Sequence, residues 1–367
     1  MRSHLPQITS TTSLPASAGS DLTADGYSAP AITSTPRPSL HVRPRLGRRA
    51  LGLGCAAVAV GAVLPAQAVQ AAPTPASAPV ANTSANWSFT TVDNPADLTF
   101  NQLLGINDFG VIAGYYGSGA PAATHPNKGY RLMPYTGMAY VKENYPASQQ
   151  TQVTAINDWG NTVGFYANQA GTNHGFLDED GVLTSASDPN TTSNPPVNQL
   201  LGLNNNGIAV GFYNDAKGNA HAYEWNRKTG RFTAIDPFGS SSATATGIND
   251  HGTVAGFYAE ANGNTAGFIM TGKSSHTVEF PGSTNTQIFG LNNSGTVVGM
   301  YVGAHKSTHG FIYSNATYRT IDDPNGIGNT VVNGLNNEGA IVGFYTDAKG
   351  NTDGFVANVK VAGVPTA

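Results

Sequence analysis

A pattern of clustered apolar residues broken by Asn-x-x-Gly recurs six times along the chain. The six copies read LLGINDFGVIAGYY, VTAINDWGNTVGFY, LLGLNNNGIAVGFY, ATGINDHGTVAGFY, IFGLNNSGTVVGMY and VNGLNNEGAIVGFY. The shared Asn stands at positions 107, 157, 204, 249, 292 and 336, so successive copies are 43 to 50 residues apart. A period of roughly 40 to 50 residues is typical of one four-stranded propeller blade.

Each copy predicts four short strands. The first apolar run ends at the shared Asn, which predicts a tight turn in which Asn forms an Asx-type hydrogen bond and Gly takes a positive φ. The second run, such as residues 111–116, is apolar on both faces and predicts a buried strand. A tripeptide such as His174-Gly175-Phe176 marks strand three, and residues 232–236 before Pro237 represent strand four.

The two ends of the repeat region do not match each other. Residues 87–93 resemble strand four but precede the first Asn-x-x-Gly turn, whereas the last copy ends after strand three near Val359. An N-terminal strand that completes the last blade would close the ring and remove open sheet edges. We therefore predict an all-β, six-bladed β-propeller of four-stranded blades over residues 87–360, closed by an N-terminal strand and followed by a tail at 361–367. An open linear stack is the alternative.

The region before the repeats has the features of a leader. Four arginines, Arg43, Arg45, Arg48 and Arg49, precede the apolar stretch 50–64, and small-residue cleavage sites follow at 66–68 and 69–71. This order is typical of a secretory signal peptide, and the stretch is too short for a comfortable membrane span. We predict a leader and signal peptide at 1–72, a flexible linker at 73–86, no membrane span, and a secreted product outside the cell or at its surface. Export by the Sec or the Tat route is left open.

Composition agrees with a turn-rich β protein, because the chain contains 44 Gly and 22 Pro. Six Arg and two acidic residues lie in the first 72 positions, which leaves 12 basic and 20 acidic side chains in the remainder. An acidic product of this kind is not expected to bind nucleic acid. The single Cys55 lies within the apolar stretch of the signal, so the exported chain is expected to have no thiol.

With these motifs in fixed order, the chain resembles the HAF-repeat extracellular proteins, which are named for a His-Ala-Phe tripeptide. Here the tripeptide is His-Gly-Phe at His174 and His309, and Lys128, Ala266 and Asp353 replace the His in other copies. The resemblance covers residues 87–360. It implies a secreted, propeller-like protein whose biochemical role is not settled, and it supplies no catalytic residues.

Propeller geometry places the loops between strands two and three, and between strand four and the next strand one, on one face where ligands usually bind. Three repeated polar positions fall there. A Tyr ends strand two in every copy: Tyr116, Tyr166, Tyr213, Tyr258, Tyr301 and Tyr345. An acid stands shortly before a Pro: Asp93, Glu143, Asp188, Asp236, Glu279 and Asp322. A Gln opens strand one in four copies: Gln102, Gln152, Gln199 and Gln287.

Aromatic rings, carboxylates and amides are the groups that bind sugars, because sugars offer apolar faces together with many hydroxyls. A structural interpretation competes with this one. A Tyr present in every blade is expected to pack between blades, and an acid before Pro is expected to accept backbone hydrogen bonds. A binding site usually breaks symmetry, so functional residues are also sought where copies differ: Lys128, Glu224, Trp225, Arg227, Asp353 and the first-repeat insert 117–127.

Little in the sequence indicates a cofactor, and no metal site is predicted. The loops Asp215–Asn219 and Asp347–Asn351 leave weak Ca²⁺ binding open, although each supplies one carboxylate where Ca²⁺ takes six to eight oxygens. The chain contains no G-x-S-x-G, no H-E-x-x-H and no P-loop.

Taken together, the residues favour a secreted, monomeric propeller that binds an extracellular glycan or another surface polymer without catalysis. One alternative is a polysaccharide-degrading hydrolase or lyase that uses carboxylates and a Tyr or His on the loop-rich face. A second alternative is a structural surface protein.

Overall fold

The computed structural model describes residues 80–82, 86–119 and 124–359, and these residues contain 25 β-strands. Three short 3-10 helices interrupt them, at Pro134–Thr136, Pro237–Gly239 and Ala304–Lys306. No helix within these residues has the length and apolarity of a membrane span. The predicted leader, most of the predicted linker and the C-terminal tail lie outside the described residues.

Twenty-four of the strands form six antiparallel groups of four, arranged as the blades of a propeller, and the remaining strand joins blade five. The innermost strands are β3 Asn101–Ile106, β7 Gln150–Ile156, β11 Asn198–Leu203, β15 Ala243–Ile248, β19 Thr286–Leu291 and β23 Thr330–Leu335. The second strands are β4 Ile112–Tyr116, β8 Thr162–Ala167, β12 Ile208–Asn214, β16 Thr253–Ala259, β20 Val297–Val302 and β24 Ile341–Thr346. The third strands are β5 Lys128–Met133, β9 Asn173–Glu179, β13 Ala220–Asn226, β17 Thr265–Thr271, β21 Thr308–Ser314 and β25 Thr352–Val359. The outermost strands are β6 Ala139–Lys142, β10 Val182–Ala186, β14 Arg231–Ala234, β18 Ser274–Val278, β22 Thr317–Ile321 and β2 Trp87–Thr91.

The predicted six-bladed β-propeller is confirmed, including its closure. Strand β2 pairs antiparallel with β25, from Trp87 opposite Val359 to Thr91 opposite Phe355. It thereby supplies the fourth strand of blade six, whose other three strands come from the end of the repeat region. Trp87 is 9% exposed and packs in a cluster with residues of blades five and six, such as Ile321 and Val332. The N-terminal strand therefore joins blade six and packs against blade five.

A further strand lies in the segment for which the sequence predicts a flexible linker. Strand β1, Val80–Asn82, pairs in parallel with β22 and makes blade five a five-stranded sheet. Parallel pairing covers part of the outer edge of that blade, where unpaired backbone groups would otherwise face solvent. The alternating pattern of the repeats could not indicate this strand, because three residues are too few to form a pattern.

The core lies between neighbouring blades and is built around the aromatic residue of the repeated tripeptide. This residue is 0% exposed in all six blades: Tyr130, Phe176, Tyr223, Phe268, Phe311 and Phe355. Phe176, for example, packs with Val153 of its own blade and with Val111 and Ala113 of blade one. The aromatic side chain of each tripeptide is therefore enclosed by two blades, which explains why the tripeptide recurs.

The Asn of each Asn-x-x-Gly turn forms two sets of hydrogen bonds. Its Oδ1 accepts the backbone N–H four residues later in every copy, as predicted for an Asx-type turn, and the turn Gly has φ of 75° to 85°. Its Nδ2 donates to the backbone oxygen of the equivalent Asn in the next blade, at 3.0 to 3.2 Å. The sixth bond runs from Asn336 back to Asn107, so the six amides form a closed ring around the axis.

The residue after each turn Asn forms a second closed ring. Its members are Asp108, Asp158, Asn205, Asp250, Asn293 and Asn337. Each backbone N–H donates to the side-chain Oδ1 of the next member at 2.8 to 2.9 Å. The three Asn members also donate Nδ2 to neighbouring Asp carboxylates, as Asn205 does to Asp158 at 2.7 Å and to Asp250 at 2.9 Å. The carboxylates at this end of the axis are thus used as structural acceptors.

The inner strands approach each other closely just before the turns. The position two residues before the turn Asn is Gly in five blades and Ala155 in blade two. A Cβ added to Gly334 would lie 2.7 Å from the Leu104 backbone oxygen, which is closer than a side chain tolerates. The small residue therefore allows the backbones to reach the spacing that the asparagine ring requires.

We expect Trp87→Ala to lower the free energy of unfolding by about 3 kcal/mol or more, because it removes the buried anchor of the closing strand. Thr90→Ala is the matched control, since Thr90 is exposed on the same strand and should change stability by less than about 0.5 kcal/mol. Urea unfolding followed by circular dichroism measures both. Equal stability of the two variants would show that β2 does not hold the ring closed.

Asn204→Asp tests the asparagine ring. The carboxylate retains the acceptor for the N–H groups of Asn206 and Ile208 but replaces the donor to Asn249 with an oxygen that faces a carbonyl. We expect a loss of about 2 kcal/mol or more, because a buried acceptor is left unpaired beside a charge. Asn206→Asp changes an exposed amide in the same turn and should cost well under half as much. If both variants lose the same stability in urea unfolding, the ring contributes nothing specific.

Candidate functional site

The loops that join strands two and three lie against the loops that join strand four to the next blade, as the sequence predicts. The backbone N–H of Asn173 donates to Pro196 O at 2.9 Å, and that of Thr308 donates to Gly328 O at 3.0 Å. We call this side of the propeller the loop face. It lies opposite the end of the axis that carries the asparagine ring.

The loop face contains a cavity of about 360 Å³ within blades one to three. We call it the amide cavity, because most of its polar lining consists of carboxamide side chains. The amides are Asn127, Gln149, Gln150, Gln152, Asn173, Gln199 and Asn214. The other lining residues are Phe165, Ala167, Gly171, Val197 and Phe212. No charged side chain is among them.

Secondary structure positions the central part of this lining. Gln152 on β7 lies opposite Phe165 on β8, and Gln199 on β11 lies opposite Phe212 on β12. Two adjacent blades therefore each present one Gln and one Phe near the axis. Asn127 comes from the insert that is specific to the first repeat, and Asn214 ends β12. Because strand register places these residues, a change in one loop does not displace the Gln and Phe pairs.

Two carbonyl oxygens in the amide cavity have no hydrogen-bond partner within the described protein. They are Oδ1 of Asn127, a residue that is 9% exposed, and Oδ1 of Asn214. A buried acceptor without a partner destabilises a folded protein by roughly 1 to 3 kcal/mol. Such atoms are uncommon in native structures and are often explained by a ligand or solvent donor. Both oxygens are suited to accept a hydrogen bond from a hydroxyl group.

The other blades do not reproduce this chemistry. Blade four has Thr244 and blade six has Val331 at the position of Gln199. In blade one, the Gln102 Oε1 accepts the Tyr115 hydroxyl at 2.9 Å, and both side chains are buried. In blade five, the Gln287 Nε2 donates to Asn285 Oδ1 at 3.1 Å. Of the four predicted glutamines, the structure brings only Gln152 and Gln199 together in the amide cavity.

The six predicted tyrosines do not converge on a site. Four hydroxyls are within 2.9 to 3.3 Å of a Ser or Thr on the outermost strand of the same blade, as Tyr345 is of Thr91. Tyr213 stacks on His221 at a centroid distance of 5.1 Å, and Tyr116 is half-buried against the core between blades six and one. Four of the rings therefore connect strand two to strand four of their own sheet. All six also pack against the preceding blade, as Tyr258 does against Val210 and Ala222 of blade three, which agrees with the predicted packing between blades.

The predicted acids are spread around the rim of the loop face, because each follows an outermost strand. Asp93 accepts from the Gly354 N–H, Asp188 from the Asn190 N–H, and Asp322 accepts from His309 Nδ1 at 2.8 Å. Asp236 is exposed. Glu279 lies beside Glu260, and burial together with this second carboxyl raises its pKa. The acids form no common site.

Glu143 requires a correction, because the structure places it one position earlier than Asp93, Asp236, Glu279 and Asp322, whereas Asp188 lies one position later than these four. Its N–H bonds to Gly129 O at 3.0 Å, which is the pairing that Val92 makes with Gly354 and Ile235 makes with Ala222. The other blades carry a buried apolar residue there. A Pro follows Asp93, Glu279 and Asp322 by two residues but follows Glu143 by three, so Asn144 occupies the equivalent position and the acidic residue type gave the wrong register.

The displaced Glu143 is buried in an ionic cluster between blades one and two. Its Oε2 lies 2.6 Å from Nε of Arg131, and its Oε1 accepts from the Thr162 hydroxyl. Asp178 lies 3.9 Å from the same guanidinium. Burial raises the pKa of Glu143, and the bonds from Thr162 and Arg131 oppose that rise. This cluster joins two blades and does not face the amide cavity.

The two loops considered for calcium are closed by their own aspartates. Asp215 Oδ1 accepts the N–H groups of Lys217 and Asn219, and its Oδ2 accepts from the Asn219 amide. Asp347 makes the same three bonds in blade six. No cluster of three or more His, Cys, Asp or Glu side chains suited to a metal occurs in the part of the chain that the structure describes. Weak calcium binding stays a prediction of the sequence.

Comparison with known proteins finds only solved structures of low identity and low TM-score. No protein-family model matches the sequence, and no curated protein matches it. The solved fucose-specific lectin from Aleuria aurantia is 9% identical with a TM-score of 0.42, over 72% of this chain and 100% of that chain. Trypanosoma rangeli sialidase is 8% identical with a TM-score of 0.43, over 71% and 54%. An ulvan lyase is 11% identical with a TM-score of 0.38, over 70% and 78%. TM-scores below 0.5 transfer neither a ligand nor an activity to this chain.

Asp93 predicts a pH dependence of stability. Burial raises its pKa from the ordinary 3.8 to about 6, and the Asp353 carboxylate adds to the rise. The folded state thus favours the protonated acid, so this contribution is complete below about pH 4 and is lost as the pH rises through 6.

We expect Asp93→Asn to be more stable than the wild type at pH 7.5, by about 1 kcal/mol after allowance for partial exposure, and nearly equal to it at pH 4. The amide retains an acceptor for the Gly354 N–H. Asp236→Asn, which changes the exposed acid at the equivalent position of blade three, should show no such difference. Urea unfolding at both pH values measures the effect, and equal pH dependence of the two variants would contradict it.

Proposed function

We propose that the protein binds a neutral glycan in the amide cavity. The observation that carries this proposal is the pair of unpartnered carbonyl oxygens, on Asn127 and Asn214, in a cavity lined without charge. A ligand that supplies hydroxyl donors would satisfy both oxygens. A sugar supplies several hydroxyls in fixed directions, and it also accepts hydrogen bonds from the amide N–H groups of the same side chains.

The rest of the lining fits the same class of ligand. Phe165 and Phe212 supply apolar surface, and the C–H faces of a sugar ring pack on aromatic rings. A charged saccharide would have to give up hydration without gaining an ion pair from the lining residues, which disfavours it. The volume of about 360 Å³ lies within the range of small-ligand sites, so the cavity would take a short stretch or a terminal unit of a polymer.

We further propose that the protein is secreted and acts as a monomeric member of the HAF-repeat group. The basic residues, apolar stretch and small-residue cleavage sites of the leader support export, and the ordered repeat motifs support the family assignment. Within this proposal the ligand is a glycan or a related polymer that the protein meets outside the cell.

Binding to a panel of neutral and acidic oligosaccharides, followed by calorimetry on the tightest neutral ligand, tests the cavity. Asn214→Val and Gln199→Val are the informative variants. Blade five already carries Val302 at the first position, and blade six carries Val331 at the second, so the fold accommodates both changes. We expect each to weaken binding at least about tenfold, which is the effect of losing roughly 1.4 kcal/mol.

Gln287→Val is the matched control, because it makes the same change at the equivalent position of blade five, outside the amide cavity. It should bind as the wild type does. Binding that is unchanged in Asn214→Val and Gln199→Val would exclude this cavity. Absence of binding to every saccharide would favour the structural alternative, and release of new reducing ends would favour the hydrolase.

A further inference from the structure

The loop between strands two and three of blade five differs from its equivalents at several positions together. In blades two, three and six this loop begins with Asn168, Asp215 and Asp347, whose side chains close the loop. Blade five has Gly303 at that position. It also has Lys306 where the other four five-residue loops have a Gly with φ of 78° to 86°, and Ser307 directly after it.

Three side chains of blade five form a hydrogen-bonded chain on the loop face. The Ser307 Oγ lies 2.7 Å from His309 Nε2, and His309 Nδ1 lies 2.8 Å from Asp322 Oδ2. A carboxylate oxygen only accepts, so Nδ1 carries the proton of the neutral imidazole and Nε2 is free of one. His309 Nε2 is therefore the acceptor for the Ser307 hydroxyl. This is the order of partners that activates a serine as a nucleophile.

The equivalent histidines of other blades lack this order. His174 Nδ1 contacts Ser187 at 3.2 Å, and its Nε2 lies 3.4 Å from the Asn168 amide. His221 places its carboxylate partner, Asp215, on Nε2 at 3.2 Å. All three histidines stack on the Tyr that ends strand two, at centroid distances of 5.1 to 5.2 Å. The stacking is therefore common to these blades, whereas the full Ser-His-Asp chain is specific to blade five.

Gly303 makes the contact between Ser307 and His309 possible. A Cβ at this position would lie 2.8 Å from Cδ2 and 3.0 Å from Nε2 of His309, and 3.3 Å from the Ser307 Oγ. The Asn or Asp found in other blades would thus collide with the pair. In blades two and three, the first loop residue, Asn168 or Asp215, contacts Nε2 of the histidine. Because Gly303 has no side chain, Ser307 contacts this nitrogen in blade five instead.

The backbone beside Ser307 is held in a conformation that disfavours L-residues. His305 has φ of 59° and Lys306 has φ of 62°, and both side chains are exposed. Non-Gly residues in this region cost of order 1 kcal/mol, and such strain is concentrated at functional sites. A Gly at 306, as in the other loops, would relieve this strain but would remove an ammonium group next to the serine.

We propose that Ser307, His309 and Asp322 form a hydrolytic site for short-chain O-acyl esters, such as acetyl groups on an extracellular polymer. The side chains of His309 and Asp322 are 27% and 34% exposed, so an ester carried on a bulky polymer has access. None of the three residues lines the amide cavity, so the proposal does not depend on the glycan-binding function.

The reaction uses only the ester and water. His309 Nε2 takes the proton of Ser307 Oγ as Oγ bonds to the ester carbonyl carbon. The tetrahedral intermediate then collapses, the bond to the alkoxy oxygen breaks, and His309 returns the proton to the leaving alcohol. Water, deprotonated by the same nitrogen, attacks the acyl carbon; the bond to Ser307 Oγ then breaks, His309 returns the proton to Oγ, and the carboxylic acid is released. Asp322 stabilises the imidazolium formed in each half, and we assign stabilisation of the negative charge of the intermediate to the exposed ammonium group of Lys306, the residue that directly precedes Ser307.

Covalent labelling tests the nucleophile directly. The full chain is treated with a fluorophosphonate probe, and the modified residue is identified by mass spectrometry; p-nitrophenyl acetate hydrolysis is measured in parallel. We expect label on Ser307, loss of label and activity in Ser307→Ala, and a fall of at least about a hundredfold in His309→Asn and Asp322→Asn. Lys306→Gly should be at least as stable as the wild type in thermal unfolding but slower in hydrolysis.

Thr172→Ala and His221→Asn are the matched controls, because they change equivalent positions in blades two and three. Both should retain the label and the activity of the wild type. An unlabelled Ser307, or hydrolysis by Ser307→Ala at the wild-type rate with an unchanged melting temperature, would overturn the proposal and leave the three side chains a structural role.

Discussion

The hydrogen bond from each turn asparagine to the carbonyl of the next turn is the constraint on which the architecture depends. One amide performs two tasks, because its oxygen closes the turn of its own blade and its nitrogen holds the neighbouring blade. Aspartate could perform only the first task, and serine could not span both. Six blades therefore share a residue that sequence periodicity detects as a turn signal but that also sets the spacing at the axis.

Residues repeated in all six blades have structural roles, whereas the candidate chemistry lies where the repeats differ. Four of the tyrosines tie strand two to strand four, and the aromatic tripeptide residues fill the core. The amide cavity depends on Asn127 from the first-repeat insert and on Asn214, a position that is Val in blade five. The Ser307 loop depends on Gly303, which replaces an Asn or Asp. A propeller of similar blades thus offers two unlike candidate sites on one face.

The sequence was sufficient for the fold because strands, turns and blade count all leave periodic signals. Even the closure of the ring followed from residues 87–93, which resemble a fourth strand in the wrong place. Glu143 shows the limit: it is the acid nearest to Pro146 and was grouped with the other acids, whereas backbone pairing puts it at a position that is buried and apolar in the other blades. Register depends on hydrogen bonds between strands, and a residue type shared between copies does not establish it.

The binding residues were only partly predictable for a similar reason. Gln152 and Gln199 were candidates because a Gln recurs at the start of strand one, and the insert was singled out because it differs between copies. Asn127 and Asn214 are ordinary loop and strand-end amides in the sequence. Their side-chain oxygens are buried without a partner because residues from three blades surround them, and a local sequence pattern cannot predict such a contact between distant segments. The same holds for Ser307, whose partner is set by the absence of a side chain at Gly303.

The junction between blades six and one has the same bonds as the five junctions along the chain: Asn336 donates to Asn107 at 3.1 Å, and the Asn337 N–H donates to Asp108 at 2.8 Å. The hydrogen bonds of the two rings are therefore the same at the junction where the repeat region begins and ends as at the other five junctions. The strand order of blade six and the added strand β1 on blade five mark the seam, so circular permutation that opens another blade between strands three and four should rebuild an equivalent closure there. The chain termini could therefore be moved to another blade without changing the arrangement of the six blades or of the loop face.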